Sequence, residues 1–282
     1  MNGQLDLEKV FADSDFIMSD QFLYRSKSLG YNYQKRDFLF KSGVWRGAQI
    51  QSILKTPWKY FDKKLVIGHS DLATDSRIIH TLKLLGISHV YGQNTLSLSG
   101  HSTSLPVGLT NDCDDSPVHR IWGNTRHILR AHRSTNFPHT YKGTIYVSFT
   151  ASNNITIREP ILRLLKNIQN VVYGEIVLSE TGRIEYLSNL RSNSFVVCPE
   201  GNGVDTHRLW ETLYMGGIPI VKKNDYMSSL LSDLPVIQIN HWNQLSDTQF
   251  LHNEWASIQN RSHNFESLKL QHWLDLITRG SN

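Results

Sequence analysis

Apolar positions along the chain fall into short runs separated by polar loops and by stretches of helical spacing. Lys64-Leu-Val-Ile-Gly68 predicts a buried strand that ends in a polar loop at His69–Asp71. Ile78, Ile79, Leu82 and Leu85 recur at helical spacing, which predicts a helix over 76–85 stopped by Gly86. A short strand is expected over 87–91, then a Ser/Gly-rich loop to Pro106. Short helices are expected near 5–12 and 48–54. The polar stretch 131–143 holds Pro138 and Gly143 and predicts a linker.

A second alternation follows: strand 144–149, helix 159–167, strand 171–173, helix 184–193, strand 195–198, helix 206–215, strand 218–221 and strand 236–239. A last helix, about 264–277, carries Phe265, Leu268, Trp273 and Leu276 and could pack back across the first half. No internal repeat interrupts this order. Strand–helix alternation of this kind predicts an α/β fold with largely parallel sheets, in two Rossmann-like domains, 1–140 and 141–282, facing a central cleft. In such folds ligands bind at the carboxyl ends of the strands.

The segment 195–221 concentrates the candidate chemistry. It reads as strand, Gly-rich turn, helix, Gly-Gly break and strand. Glycines at Gly201 and Gly203, around Asn202, allow close backbone approach to a ligand or a positive φ. A helix that starts at Asp205 or Thr206 offers N–H groups and a positive dipole end, both suited to phosphate, and either residue could serve as its N-cap. Leu209, Leu213 and Trp210 form the apolar stripe. His207 with Glu211, and Arg208 with Glu211, are spaced to meet on the helix. The plainer interpretation is a capped helix with an Arg208–Glu211 surface pair. The functional one has Arg208 or His207 neutralising a diphosphate and Glu211 accepting from a ribose diol.

Composition narrows the classes. The 282 residues, 39% hydrophobic and 19% charged, describe a folded chain with room for two domains. A net charge of +4 fits anionic ligands, but no dense Lys/Arg run points to nucleic acid. Arg126, Arg130 and Arg133 fall near one helix face and read as a solvated or interdomain surface. Two cysteines, Cys113 and Cys198, build neither a disulfide framework nor a Cys-based metal site. Among thirteen histidines only His207–Glu211 has ligand-like spacing. The N-terminus lacks signal-peptide features and no apolar stretch is long enough to span a bilayer, so a soluble cytoplasmic protein is expected.

The run Cys198-Pro-Glu-Gly-Asn-Gly-Val-Asp-Thr-His-Arg-Leu-Trp-Glu-Thr-Leu-Tyr-Met-Gly-Gly-Ile-Pro-Ile-Val221 resembles the donor-binding half of GT-B glycosyltransferases, and looks closest to exostosin-like and related bacterial and viral enzymes. The resemblance covers roughly 185–242 and is weaker at 146–158, Asn94 and the Leu-Pro-Val-Gly108 turn. It implies a nucleoside-diphosphate sugar as donor, a saccharide-type acceptor, no cofactor and no metal. Arg158 becomes a candidate diphosphate ligand, against the alternative of a surface arginine opening a helix. Lys222 and Lys223 could add positive potential. An inverting transferase also needs a base beside the acceptor hydroxyl. Asp71 and His69, at the end of a strand in the acceptor half, stand as candidates, with Glu200 the carboxylate of the donor loop. Retaining GT-B enzymes usually space two glutamates eight apart, whereas Glu200 and Glu211 are eleven apart, which leaves the stereochemical outcome open. A non-catalytic nucleotide- or sugar-binding module of the same fold is the alternative reading. Donor base, sugar, acceptor and oligomeric state are not legible in the sequence.

Overall fold

In the computed structural model, residues 16–19, 22, 32–35, 64–68, 71, 73–84, 86–110, 116–138 and 140–279 are described. The expected helices near 5–12 and 48–54, and His69, lie outside them. The chain is mixed α/β with two wholly parallel sheets among the described residues. The first is β1 (Asn32–Lys35), β2 (Lys64–Gly68), β3 (His89–Gln93) and β4 (Ser102–Leu105), side by side in chain order. Helix α1 (Ser76–Leu84) joins β2 to β3 and turns Ile79 and Leu82 inward. Asp75 caps α1 through Oδ1, which accepts from the Ile78 amide at 3.0 Å. β4 lies inside the segment expected to be a loop. Its Ser-Thr-Ser-Leu sequence carries little apolar signal, and β3 supplies its hydrogen bonds.

Helices α2 (Pro117–Trp122) and α3 (Thr125–Ser134) lead to the second sheet. Residues 131–134, read as linker, are the last turn of α3. Its polar composition reflects one outward face: Arg126, Arg130 and Arg133 are exposed, while His127, Ile128 and Ala131 are buried.

The second sheet contains β5 (Ile145–Val147), β6 (Val171–Tyr173), β7 (Phe195–Val197), β8 (Pro219–Lys222) and β9 (Ile237–Ile239), in the order β6-β5-β7-β8-β9. β5, β7 and the first three residues of β8 are fully buried, as continuous apolar runs in a parallel sheet should be. From β5 the chain steps outward to β6, then crosses to β7 on the other side. The order therefore reverses between β5 and β7, and ligands of such sheets bind at the carboxyl ends of the strands beside that switch point.

The covering helices are α4 (Ile155–Leu165), α5 (Glu180–Ser192), α6 (His207–Tyr214), α7 (Thr248–Asn260) and α8 (Leu270–Arg279). α4 begins four residues before its expected start. Asn154 caps it through Oδ1, and Pro160 sits inside the helix rather than at its first position. α6 ends where expected: Gly216 takes φ +70°, and its amide returns to the Leu213 carbonyl. α7 escaped the sequence reading because its pattern is mixed. The final segment is a 3-10 turn, Phe265–Leu268, followed by α8.

One buried cluster joins Ile17, Tyr91, Leu105 and Leu109 to Tyr146, Leu209, Trp210 and Trp273, so both sheets contribute to the same core. α8 reaches the first sheet as well, its Ile277 carbonyl accepting from Lys64 Nζ at 3.3 Å. A second cluster, with Val147, Ile161, Val197, Ile220 and Ile239, lies wholly within the second half. No helix among the described residues is long and apolar enough to cross a membrane.

Candidate functional site

The crevice between β5 and β7 is built from three loops. After β5 come Ser148 and Phe149, and after β7 comes Pro199-Glu-Gly-Asn-Gly-Val-Asp-Thr206. The third contributor is the first turn of α4. Arg158 sits on α4 and is only 4% exposed. Its Nε donates to the Glu200 carbonyl at 2.9 Å and its Nη1 to the Thr150 carbonyl at 3.2 Å. This excludes the surface-arginine reading.

Arg208, in the first turn of α6, comes from the opposite side and donates Nη2 to the Ser148 carbonyl at 2.5 Å. The guanidinium carbons of Arg158 and Arg208 lie 5.6 and 5.7 Å from the centroid of the Phe149 ring. Neither guanidinium has a carboxylate within ion-pairing distance among the described residues. Arg208 Nε is buried and has no hydrogen-bond partner. Burial, and secondarily the neighbouring Arg208 charge, lowers the Arg158 pKa to about 10. Two adjacent cations held by neutral carbonyls, Arg158 buried and Arg208 half-buried, form a site of excess positive potential, which an anion would relieve.

The loop glycines serve by close approach, not by a left-handed backbone, since neither has positive φ. A Cβ on Gly201 would lie 2.9 Å from Arg158 Nη2. On Gly203 it would lie 2.8 Å from Asn94 Nδ2 and 2.9 Å from the Asp71 carbonyl oxygen. Asn154 Nδ2 donates to the Gly201 carbonyl at 2.9 Å and fixes the loop from the α4 side. Asn202 is exposed at its tip. Asp71 is exposed, and its backbone carbonyl lies against Gly203 of the loop after β7.

Several expected ligand-facing residues have structural duties. Thr206 is the N-cap position of α6 but makes no side-chain cap bond. Asp205 is not the cap either: its buried carboxylate accepts from Trp210 Nε1 at 2.8 and 2.9 Å and from the Val107 amide at 2.7 Å. Burial raises its pKa to about 7, and those donors only partly offset the shift.

Glu211 does not pair with Arg208. It is buried, with Oε1 2.8 Å from Arg183 Nη2 and Oε2 accepting from the Tyr186 hydroxyl at 2.7 Å. The Arg183 and Tyr186 contacts hold it ionised with a lowered pKa despite desolvation, the largest influence on it. A carboxylate engaged in this way has no oxygen turned to a ribose diol. Nor does it join His207 in a metal pair: His207 Nδ1 bonds the Gly108 carbonyl at 2.8 Å, which requires the proton on Nδ1. Among the described residues no three His, Cys, Asp or Glu side chains cluster as a metal site.

Glu200 faces a cleft of about 460 Å³ together with Lys222, Ile157, Pro160, His241 and Trp242. Burial raises its pKa, and Lys222 works in the opposite direction. Lys222 therefore belongs to the cleft wall, whereas Lys223 is simply exposed. The sequence reading missed Phe149, Asn154 and the His241–Trp242 wall. An Asn-Asn pair preceding a helix was the available signal for Asn154, and nothing local marked the others.

No known protein family and no curated protein matches this chain. A solved structure described as "OtsA apo structure" is similar over 78% of this chain and 68% of its own, at 9% identity and a TM-score of 0.37. So distant a likeness leaves the function to be read from the site itself.

Proposed function

We propose that the chain is a glycosyltransferase of GT-B-like architecture, which binds a nucleoside-diphosphate sugar in the crevice between β5 and β7. The observation that carries this reading is the Arg158–Arg208 pair: one buried and one half-buried guanidinium without carboxylate partners among the described residues, at a switch point and beside the first turn of a helix. The diphosphate lies between them. The nucleoside extends into the Glu200–Trp242 cleft, whose volume falls in the range of roughly 300–1,000 Å³ usual for small-molecule sites. Catalysis rests on positioning and on stabilising the departing diphosphate.

The two sheets supply the acceptor and donor halves, 1–140 and 141–282. Asp71, at the junction, takes the acceptor hydroxyl proton; His69 remains the alternative base. With Glu211 held inside the protein, a two-glutamate arrangement is not supported, which favours inversion. The exostosin-like resemblance rests on the sequence of roughly 185–242, and more weakly on 146–158, Asn94 and the turn at Gly108. The test is calorimetric titration of UDP, GDP and ADP into wild type, Arg158→Ala and Arg208→Ala, with sugar transfer assayed for Asp71→Asn. Unchanged nucleotide affinity in both arginine variants would remove the donor site. Binding without transfer or donor hydrolysis would leave a non-catalytic module.

A further inference from the structure

Five of the eight exposed large hydrophobic side chains among the described residues fall in one seven-residue stretch: Val172, Tyr173, Ile176, Val177 and Leu178, between 37% and 53% exposed. The stretch begins on β6, the edge strand of the second sheet, and continues into the loop before α5. A fixed loop presents these side chains. The Gly174 amide donates to the Val147 carbonyl at 2.9 Å and the Ser179 amide to the Val177 carbonyl at 2.9 Å. Gly182 in the first turn of α5 leaves room for Val177 to fold against it: a Cβ there would be 2.7 Å from Val177 Cβ. Clustered exposed apolar groups of this size mark an interaction surface.

Charge beside the loop defines the partner. Arg126, Arg130 and Arg133 share the outer face of α3, which packs on α5. Arg130 Nη1 reaches Glu180 Oε1 at 2.9 Å, two residues beyond Leu178, and so places the basic stripe against the apolar loop and neutralises that carboxylate. Glu175 is the one other acid within the loop. Apolar side chains flanked by arginines match a bilayer interface with anionic headgroups, the apolar groups entering the acyl boundary and the guanidiniums meeting phosphates.

We propose that the 172–178 loop and the arginine face of α3 dock this protein on an anionic phospholipid surface. Val147, which anchors Gly174, immediately precedes Ser148, which anchors Arg208. The docking loop thus leaves the sheet at the same carboxyl end as the arginine pair, and docking holds that end close to the bilayer. The inference does not depend on what the crevice binds.

The experiment is co-sedimentation of the full chain with phosphatidylcholine vesicles, with and without phosphatidylserine, for wild type, Ile176→Ser/Leu178→Ser and Arg126→Gln/Arg130→Gln. Thermal unfolding serves as the check that the variants fold. Wild type should sediment with the serine-lipid vesicles only, and less at high salt. Each lost arginine should weaken retention roughly fivefold, and the apolar pair by tenfold or more, with nucleoside-diphosphate affinity unchanged. Absence of retention on anionic vesicles overturns the proposal. So does retention indifferent to the apolar pair. A dimer in analytical ultracentrifugation that the apolar pair abolishes, without lipid retention, would assign the edge to a second copy instead.

Discussion

Arg158 and Arg208 approach the same Phe149 ring to nearly equal distance, 5.6 and 5.7 Å, from two helices that are not neighbours in sequence. Neither position is set by a carboxylate; backbone carbonyls of Glu200, Thr150 and Ser148 hold them. A charge held by neutral acceptors keeps its field for an incoming ligand. Replacing either arginine by alanine is expected to weaken nucleoside-diphosphate binding by about tenfold to a hundredfold, the usual worth of a charged hydrogen-bonding partner. Calorimetry on the two single variants measures this. Arg208→Lys should recover only part, because a single ammonium cannot grip Ser148 and an anion in the same geometry.

The Arg183–Glu211 pair should behave in the opposite way. Both side chains are buried, and Tyr186 and Trp122 close around them. Glu211→Gln leaves an uncompensated buried guanidinium and is expected to cost about 3–5 kcal/mol in urea unfolding. Arg183→Met/Glu211→Leu removes both charges and should restore much of that loss. A fully stable Glu211→Gln variant would contradict the structural role assigned to the pair.

Asp205 gives a stability profile with a definite sign. Its folded pKa of about 7 lies above the ordinary 3.8, so the native state binds the proton more tightly than the unfolded state does. The contribution of Asp205 is therefore fully favourable below about pH 4. It declines as pH rises through the window from 4 to 7, and levels off above it. Unfolding free energies at intervals from pH 4 to 8 should show Asp205→Asn with a flatter or more positive slope than wild type. The difference between the two curves isolates this carboxyl from the other titrating groups.

Two glycines two positions apart, Gly201 and Gly203, should separate folding from binding. At Gly201 an added methyl meets the far end of the Arg158 side chain, which can move. Gly201→Ala is expected to fold normally and lose anion affinity. At Gly203 the methyl meets the Asp71 carbonyl and Asn94, a residue itself at φ +50°. Gly203→Ala should lower the thermal midpoint. Differential scanning calorimetry with UDP titration distinguishes the two outcomes.

Where each element's own pattern decided its fate, the sequence was readable. β7, α6, Gly216 and β8 follow from an apolar run, an amphipathic octet, a left-handed terminator and another apolar run. β4 and α7 did not follow, since their stability comes from neighbours: β3 for the one, the underside of the second sheet for the other. The same division runs through the site. Arg158 and Arg208 were legible as cations beside a phosphate-ready loop. The fate of Glu211 was not, because Arg183 and Tyr186, which claim it, lie 28 and 25 positions away and carry no mark of that pairing. Asp205 was misassigned as a cap for the same reason, as its partner Val107 is 98 positions distant.

The Gly203–Arg208 segment touches the first half of the chain at every turn. The Asp205 amide donates to Asn94 Oδ1 at 2.8 Å, the Val107 amide reaches the Asp205 carboxylate, and His207 holds the Gly108 carbonyl. Any ligand that draws on Arg208 therefore bears on the hydrogen bonds that join the two halves. By reciprocity, whatever factor occupancy of the arginine crevice adds to the seating of these three bonds, an acceptor that favours the seated arrangement returns to the donor. On the proposed reading, donor and acceptor would each report the other's presence in their own affinity, with Asn94, Val107 and Gly108 as the transmitting contacts.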